Sequence, residues 1–303
     1  MLIIDIERYL ALRRALGFKL QAVAARLRTF AAFAVLRGET HVRTSTASDW
    51  AATAPSPHAR HRRLREVSRF ARFAHAEDVR HEVPAKALSR FTPGKRPPYI
   101  YAPEEIARLI AATAHLPRMS SAHQSMYAIF FGLIATTGLR VAEALNLRFD
   151  DLLPGGILRI RTTKFGKTRL VPLHATVVAA LAPYVKARRR VPSTDDHLFL
   201  SKTRKPLPHG VARYAFHQLL QITGIGADRM PPPRIHDLRH TFATRALERC
   251  STRRDEVGRH FIALSTYMGH VDVASTFWYL QATPEMMTDI AAAAAALIDR
   301  RRP

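Results

Sequence analysis

A proline-rich segment divides this 303-residue chain and limits what it can fold into. Residues 92–98 read Thr-Pro-Gly-Lys-Arg-Pro-Pro. Proline lacks an amide hydrogen and clashes with the preceding turn, so no helix continues through this segment. We therefore expect two domains, residues 1–92 and 101–303, joined by a linker at residues 93–100.

Hydrophobic periodicity predicts that the first domain is helical. Val23, Leu27, Phe30, Ala31 and Ala34 repeat at the spacing of one helix face. A helix with this stripe buries one side against a core.

A second predicted helix, about residues 57–77, has two unlike faces. Its apolar stripe consists of Leu64, Val67, Ala71 and Ala74. The opposite face carries His58, Arg62, Arg65, Arg69 and Arg72. No acid is interleaved on that face, which favours contact with DNA phosphates. The alternative is a merely solvated face, although such faces usually mix both signs of charge.

The charge of the whole chain also indicates a polyanionic partner. Forty-seven Lys and Arg residues face 24 Asp and Glu, for a net charge of +23 and a pI of about 11.2. Such an excess repels itself in the folded state, and nucleic acid is the commonest partner that compensates for it. The alternative is a basic protein from an arginine-rich, high-GC genome.

Cysteine usage and the N-terminal residues bear on the cellular compartment. Cys250 is the only cysteine, which excludes an intramolecular disulfide and a cysteine-based zinc site. The first ten residues include Asp5, Glu7 and Arg8, unlike a signal peptide, and no apolar run is long enough to span a membrane. We expect a soluble cytoplasmic protein, nucleoid-associated when bound to DNA, with no membrane partner.

The second domain mixes helices with a small sheet. Pro103 and the acids Glu104 and Glu105 favour a helix start. Two strands, residues 157–162 and 168–173, flank a hairpin tip that includes Lys164. Further helices are predicted at residues 125–137, 139–147, 175–190, 209–221, 236–247 and 284–299. The expected fold class is mostly α (α+β), with a small antiparallel sheet.

Two motifs in this domain are weak when taken alone. Arg140 and Glu143, in Gly-Leu-Arg-Val-Ala-Glu, are spaced to share a helix face, which usually indicates a surface ion pair. Lys164 precedes Arg-Leu-Val-Pro-Leu at residues 169–173, and a lysine in a turn is ordinary.

Two further motifs contain histidine. His236 and His240 are four residues apart in His-Asp-Leu-Arg-His, a spacing that occurs in metal sites. Because Asp237 replaces the glutamate of a metalloprotease helix and no third ligand is evident, we expect no metal. Gly269 and His270 precede Tyr279, which follows His270 by nine residues.

In this order the four motifs resemble the catalytic domain of the tyrosine recombinases, the phage integrase family, over residues 100–285. The resemblance implies a site-specific recombinase or integrase that cleaves and rejoins DNA through a 3′-phosphotyrosyl intermediate, without a cofactor. It also implies a helical DNA-binding domain before the catalytic domain. The catalytic positions it assigns are Arg140, Lys164, His236, Arg239, His270 and Tyr279, supported by Glu143 and His240.

These roles agree with the chemistry of phosphoryl transfer. Arg140 and Arg239 match the two arginines that bind the phosphate, whose growing negative charge a planar guanidinium stabilises. Tyr279 matches the nucleophile and needs a base, for which His236 is the candidate. Lys164 matches the residue that protonates the leaving 5′-oxygen.

The resemblance further implies partners and alternatives. The expected partners are double-stranded DNA with paired inverted core sites, other copies of this chain in a synaptic tetramer, and companion recombinases. A longer segment between Cys250 and Ser265 resembles a subgroup linked to transposons and multi-recombinase elements. The predicted C-terminal helix docks either on a neighbouring protomer or on its own domain. A type IB topoisomerase and a catalytically idle DNA-binding regulator remain alternatives.

Replacing Lys164 with Ala should slow cleavage of ordinary DNA, because the 5′-oxygen then leaves without a proton donor. A 5′-bridging sulfur leaves without protonation and should restore the cleavage rate, measured in a single turnover. Lys167→Ala is the matched control and should cleave both substrates normally. If the sulfur substrate rescued Lys167→Ala instead, the lysine assignment would be wrong.

Overall fold

The computed structural model describes residues 2–18, 20–85, 96–161, 168–249 and 254–269. The chain divides into two compact units, Met1–Arg96 and Pro97–Pro303. Their border falls inside the predicted linker, of which residues 93–95 lie outside the described residues. The exact domain limits and the roles of the two domains stay predictions.

The first unit contains four described helices: α1 (Leu2–Ala15), α2 (Gln21–Val35), α3 (Thr44–Ala52) and α4 (Pro57–Glu77). Four of the five residues in the predicted stripe on α2 are buried in the core, and Val23 is half-buried. Aromatic contacts join the helices, with the rings of Phe30 and Trp50 5.4 Å apart and those of Tyr9 and Phe70 5.7 Å apart. The predicted helical character of this part is confirmed.

Helix α4 has the bounds that its sequence predicts. The Ser56 side chain accepts the Ala59 N–H at 3.2 Å, and Pro57 occupies the first turn, where no amide hydrogen is needed. Its apolar stripe is buried against the other helices. Of the predicted basic face, Arg62 is half-buried, whereas His58, Arg65, Arg69 and Arg72 are exposed.

The second unit has a larger core, and its described residues include seven α-helices. They are α5 (Pro103–Ala111), α6 (Ser121–Thr137), α7 (Val141–Leu145), α8 (Ala175–Arg189), α9 (His209–Thr223), α10 (Ile235–Glu248) and α11 (Arg254–Met268). Phe130, Phe131 and Phe216 are buried at the centre, with Phe199 against Phe130. Among the described residues, no helix is both long and apolar enough to cross a membrane.

Three short antiparallel strands form the sheet in the order β1 (Leu152–Leu153), β2 (Ile157–Ile160) and β3 (Arg169–Pro172). Ile160 pairs with Arg169, and the predicted hairpin tip with Lys164 lies in residues 162–167, outside the described part of the chain. The mostly helical fold with a small antiparallel sheet is confirmed. The sequence does not predict strand β1, because two residues are too few to show alternation.

Two helix limits differ from the predictions. Helix α6 begins at Ser121, four residues earlier than expected, because Ser120 caps it by accepting the His123 N–H. Helix α7 covers only five residues, and Arg140 precedes it. The predicted C-terminal helix at residues 284–299 lies outside the described residues.

Candidate active site

A short helix, α7, begins at a charged pair. Arg140 lies just before it in an extended conformation, and its backbone N–H donates to Glu143 Oε2 at 2.9 Å. Its guanidinium Nη1 donates to Glu143 Oε1 at 2.7 Å. The two residues are in contact, as their spacing suggests, but Arg140 caps the helix instead of lying within it.

A second arginine reaches the same carboxylate from the sheet. Arg169, the first residue of β3, donates from Nη1 to Glu143 Oε1 at 2.8 Å and from Nη2 to Oε2 at 2.7 Å. This parallel pair of hydrogen bonds is the strongest geometry available to an arginine and a carboxylate. Glu143 therefore joins β3 to the start of α7.

Glu143 stays ionised although its side chain is only 7% exposed. Burial raises the pKa of its carboxyl, but the Arg169 hydrogen bonds and charge, together with the Arg140 contacts, outweigh burial and lower that pKa to about 2. One negative charge thus lies between two permanent positive charges, and the three residues together carry one net positive charge.

Arg239 is buried inside the unit, with only 1% of its surface exposed. It lies on α10, and its Nη1 donates to the Gly138 carbonyl at 2.5 Å while Nη2 donates to the Met268 carbonyl at 2.7 Å. These contacts tie α10 to the end of α6 and to the end of α11. The guanidinium is therefore held by backbone and cannot change rotamer without breaking both contacts.

The next carbonyl along the chain binds the other predicted arginine. Arg140 Nη2 donates to the Gly269 carbonyl at 2.8 Å. Arg239 and Arg140 are thus brought together by two consecutive carbonyls, those of Met268 and Gly269. Gly269 has a φ of +66°, and a Cβ there would lie 2.8 Å from Arg169 Nη1. A glycine satisfies both the backbone conformation and the close approach of Arg169.

The two histidines of α10 lie edge to face, with ring centres 4.7 Å apart. His236 keeps an exposed surface, but desolvation by the surrounding protein and the Arg239 charge lower its pKa to about 4. Burial and the neighbouring His236 lower the pKa of His240 to about 4. Both rings are therefore neutral at pH 7, and a neutral imidazole can accept a proton.

Polar contacts fix the start of α10. Asp237 is fully buried and accepts the Arg234 N–H at 2.9 Å and Arg234 Nη2 at 2.8 Å. Thr241 accepts the Tyr101 N–H at 3.0 Å, and Arg245 donates to the Tyr101 carbonyl at 2.9 Å. The segment before α5 therefore anchors the helix that carries His236 and Arg239.

Of the six predicted catalytic residues, the structure describes Arg140, His236 and Arg239, all on elements that meet at this site. The other three, Lys164, His270 and Tyr279, lie outside the described residues. Arg239 contacts the ends of α6 and α11 from a buried position, which the sequence motif does not predict. Burial of this charge follows from its carbonyl partners, which a helical wheel does not show.

Within the described ranges, two groups of side chains are close enough to share a metal ion, and neither includes a residue of this site. They are His41, Asp78 and His81, and Asp195, Asp196 and His197. In the first group the Val42 N–H donates to His81 Nδ1 at 3.1 Å, so the neutral ring carries its proton on Nε2, where a metal would bind. We interpret that group as structural. The expectation of no metal at His236 and His240 stays a prediction.

Arg169 is the site residue to which sequence reasoning assigned no role. It shares the inward face of β3 with the buried Val171, since alternate residues of a strand point to the same side. A charged residue at an inward position needs buried polar partners or a partner of opposite charge. The alternation of β3, together with the Arg140–Glu143 spacing, is the sequence feature that indicates a buried role for Arg169.

Comparison with known proteins agrees with this arrangement. The model of the phage integrase family matches residues 101–286. The Sinorhizobium fredii protein y4rB, named as an integrase/recombinase, is 38% identical over 294 residues, which cover 94% of this chain and 94% of that protein. The tyrosine recombinase XerD of Caulobacter vibrioides is 30% identical over 252 residues, or 80% of this chain and 76% of XerD. This chain belongs to the phage integrase family, the tyrosine recombinases.

Solved structures of tyrosine recombinases have the same fold. XerH bound to palindromic difH DNA, in a post-cleavage complex, aligns with a TM-score of 0.66 at 18% identity over 90% of this chain and 79% of XerH. The Tn1549 transposon integrase bound to transposon right end DNA aligns with a TM-score of 0.65 at 18% identity over 99% of each chain. The family and fold predicted from the motifs are confirmed, while the transposon-linked subgroup stays a prediction.

In this family member, the described part of the site provides two backbone-held arginines and a neutral imidazole. Fixed guanidinium groups can stabilise negative charge that develops on a phosphate, since they need no reorganisation during the reaction. The imidazole of His236 is exposed on one side and can receive a proton from an attacking hydroxyl.

Gly138→Ala should destabilise the second unit by about 2–5 kcal/mol, measured as the free energy of unfolding in urea. Gly138 ends α6 with a φ of +63°, and a left-handed conformation costs a residue with a Cβ about 1–2 kcal/mol. The new Cβ would also lie 2.5 Å from Phe242 Cδ1, and overpacking of this kind costs about 1–3 kcal/mol.

Two controls separate these causes. Gly224 has a φ of +68°, and a Cβ added there would meet nothing within 4 Å, so Gly224→Ala should show only the conformational cost of about 1–2 kcal/mol. Gly210 is helical with open space around it, so Gly210→Ala should leave stability unchanged or slightly raised. A Gly138→Ala loss no larger than that of Gly224→Ala would show that the Phe242 contact relaxes freely.

Proposed function

We propose that this protein is a site-specific DNA recombinase that cleaves and rejoins strands through a covalent bond between Tyr279 and a 3′-phosphate. Membership of the tyrosine recombinases supports DNA cleavage and rejoining as the activity. The observation that carries the assignment to this site is the pair of consecutive carbonyls, Met268 and Gly269, that hold Arg239 and Arg140.

This pair of carbonyls lies just before two of the proposed catalytic residues in the chain. His270 comes directly after Gly269, and Tyr279 comes nine residues after His270. The two arginines are therefore fixed to the backbone that leads into those residues. Their positive charges would meet the non-bridging oxygens of the phosphate, where negative charge grows as the tyrosine attacks.

The proposed reaction balances without an external energy source. The Tyr279 hydroxyl oxygen attacks phosphorus, and the bond from phosphorus to the 5′-oxygen breaks. His236 takes the tyrosine proton, and Lys164 supplies a proton to the departing oxygen. The negative charge of bound DNA favours the protonated His236 ring, opposing the desolvation that lowers its pKa in the free protein.

The products define the second half of the cycle. Each cleavage leaves a 3′-phosphotyrosyl bond and a free 5′-hydroxyl, and a phosphate ester is retained throughout. A 5′-hydroxyl from a partner strand can reverse the step, so religation consumes no nucleotide. We propose that His240 supports His236 by packing against it, and that Glu143 supports Arg140.

We further propose that the protein binds DNA with paired inverted core sites as a homo-oligomer that reaches a tetramer in the synapse. The XerH and Tn1549 integrase structures, which contain DNA, support the choice of partner. Companion recombinases, the transposon-linked subgroup and a cytoplasmic, nucleoid-associated location belong to the same proposal.

The basic face of α4 supports a role of the first unit in binding DNA. All eight acids among residues 1–85 of this unit contact other groups. Glu66, the acid within the arginine-rich part of α4, is buried and forms two hydrogen bonds with Arg26, at 2.6 and 2.7 Å. Within the described part of the unit, no acid lies in salt-bridge contact with Arg65, Arg69 or Arg72, which leaves this surface positive.

Tyr279→Phe tests the proposed reaction, because it removes only the hydroxyl that attacks. DNA flanking the gene would be searched for short inverted sites, narrowed by footprinting, and offered as a nicked suicide substrate. The wild-type protein should form a covalent adduct, whereas the variant should protect the same DNA and form none. Adduct formation by the variant would sink the assignment of Tyr279.

The same assays decide between the proposal and its alternatives. Joint molecules formed from two sites support a recombinase. Supercoil relaxation without joint molecules would point to a type IB topoisomerase. Protection of DNA by the wild-type protein without any adduct would point to a regulator that no longer cleaves.

Replacing Arg62, Arg65, Arg69 and Arg72 with Ala tests the basic face of α4. Each neutralised phosphate contributes about 0.9 to the slope of log affinity against log salt concentration, so the slope should fall by up to roughly three units. Affinity should fall equally for specific and random duplexes, because phosphate contacts do not read bases.

A matched variant with the same loss of charge is available. Arg8, Arg28, Arg37 and Arg43 each pair with an acid of the first unit, so their replacement by Ala should change the slope much less. Equal slopes for the two quadruple variants, both with wild-type helical content, would show that the basic face of α4 is merely solvated.

A further inference from the structure

Arg169, at the start of β3, is linked to Arg140, the proposed catalytic arginine, through Glu143, and its side chain is largely buried. Its side chain is 12% exposed, compared with 32% for Arg140. Arg169 therefore has little opportunity to touch DNA itself. Its hydrogen bonds are directed inward, to the Glu143 carboxylate, and its guanidinium lies beside Gly269.

Both oxygens of Glu143 are shared by the two arginines. Arg169 supplies one donor to each oxygen, and Arg140 supplies its guanidinium to Oε1 and its backbone N–H to Oε2, all between 2.7 and 2.9 Å. The Arg140 guanidinium also has a second partner, the Gly269 carbonyl, at 2.8 Å. Glu143 and Gly269 together define its direction.

The charges of the three groups show what Arg169 contributes. With Arg169 present, one carboxylate is shared between two cations and a net positive charge remains. Without it, the buried carboxylate would be balanced by Arg140 alone. An arginine fully paired with a buried carboxylate has less charge to offer a phosphate, since the two charges cancel at a distance.

From these contacts we infer that Arg169 is a positioning residue that leaves the positive charge of Arg140 available to the scissile phosphate and directs it there. This inference rests on the proposed function. Arg169 performs no chemical step: it occupies Glu143, so that this carboxylate orients Arg140 without neutralising it. Its guanidinium also lies beside Gly269, where an added Cβ would be 2.8 Å from Nη1.

Arg169 also anchors the start of β3 by its hydrogen bonds to Glu143. The described end of β2 is anchored as well, because Arg159 and Arg161 both contact the buried Asp151 carboxylate. Residues 162–167, which include Lys164, are thus bounded by one anchored segment on each side. The Arg169 anchor differs from the Asp151 anchor in sharing its carboxylate with Arg140.

The test measures the single-turnover cleavage rate at saturating DNA for Arg169→Gln, Arg140→Gln and the double variant. Arg169→Gln should cleave about 10- to 100-fold more slowly, in line with the effect of a small misplacement of a catalytic group. The double variant should cleave no more slowly than Arg140→Gln, because Arg169 acts through Arg140. A multiplicative loss in the double variant would overturn the inference.

A second readout is specific to charge at the phosphate. A methylphosphonate at the scissile position replaces one negatively charged oxygen by a methyl group, so less charge has to be stabilised. The difference in cleavage rate between wild type and Arg169→Gln should therefore shrink on this substrate. The difference between wild type and Arg140→Gln should shrink in the same way. Removing the carboxylate as well, in Glu143→Gln with Arg169→Gln, should recover part of the lost rate and avoid an unpaired buried charge. If Arg169→Gln alone unfolds, that double variant is compared with Arg140→Gln and should cleave faster, because Arg140 keeps its charge beside a neutral Glu143→Gln. A rate no higher than that of Arg140→Gln would overturn the inference.

Arg148→Gln is the matched control. Arg148 forms an exposed pair with Asp196 at 3.0 Å in the same unit and does not contact Glu143, so this variant should cleave at the wild-type rate. A wild-type protein that forms no adduct would refute the proposed function. An active wild type with a fully active Arg169→Gln would refute this inference alone.

Discussion

The site depends on two neighbouring backbone carbonyls, those of Met268 and Gly269, each holding one arginine. A carbonyl oxygen fixes a guanidinium without cancelling its charge, unlike a carboxylate. Arg239 donates to two carbonyls from a buried position. Arg140 combines a carbonyl with a carboxylate, and that carboxylate is shared with Arg169. The end of α11 thus orients Arg140 and Arg239, the two proposed catalytic arginines.

Backbone conformation follows from the same contacts. Gly138 and Gly269 both have positive φ, and both carbonyls accept an arginine of the site. A Cβ at either position would also strike a neighbour, Phe242 in one case and Arg169 in the other. Glycine is therefore needed at each position for two reasons: its positive φ directs the carbonyl, and the absence of a Cβ leaves space for the neighbouring side chain. The two glycines in the motifs are structural requirements of the arginine geometry.

Much of the fold could be predicted because periodicity reports directly on burial. The apolar stripe of α4 is buried as expected, and its helix limits follow from Ser56 and Pro57. The burial of Arg239 could not be predicted, since its partners are carbonyls 101 and 29 residues away and every residue has a carbonyl. Arg169 is an intermediate case. The alternation of β3 predicts that its side chain points inward, but only the three-dimensional structure shows that it pairs with Glu143.

The two units use arginine in different ways, and the difference explains how one chain carries so much positive charge. In the first unit, acids pair with other cations, so the exposed face of α4 faces water, which screens it at little cost. In the second unit, the two proposed catalytic arginines are less exposed, Arg239 at 1% and Arg140 at 32%, and burying a charge is expensive. Carbonyl dipoles and one shared carboxylate reduce that cost without removing the charge. Arg140, Glu143 and Arg169 together keep one net positive charge, which favours the binding of an anion.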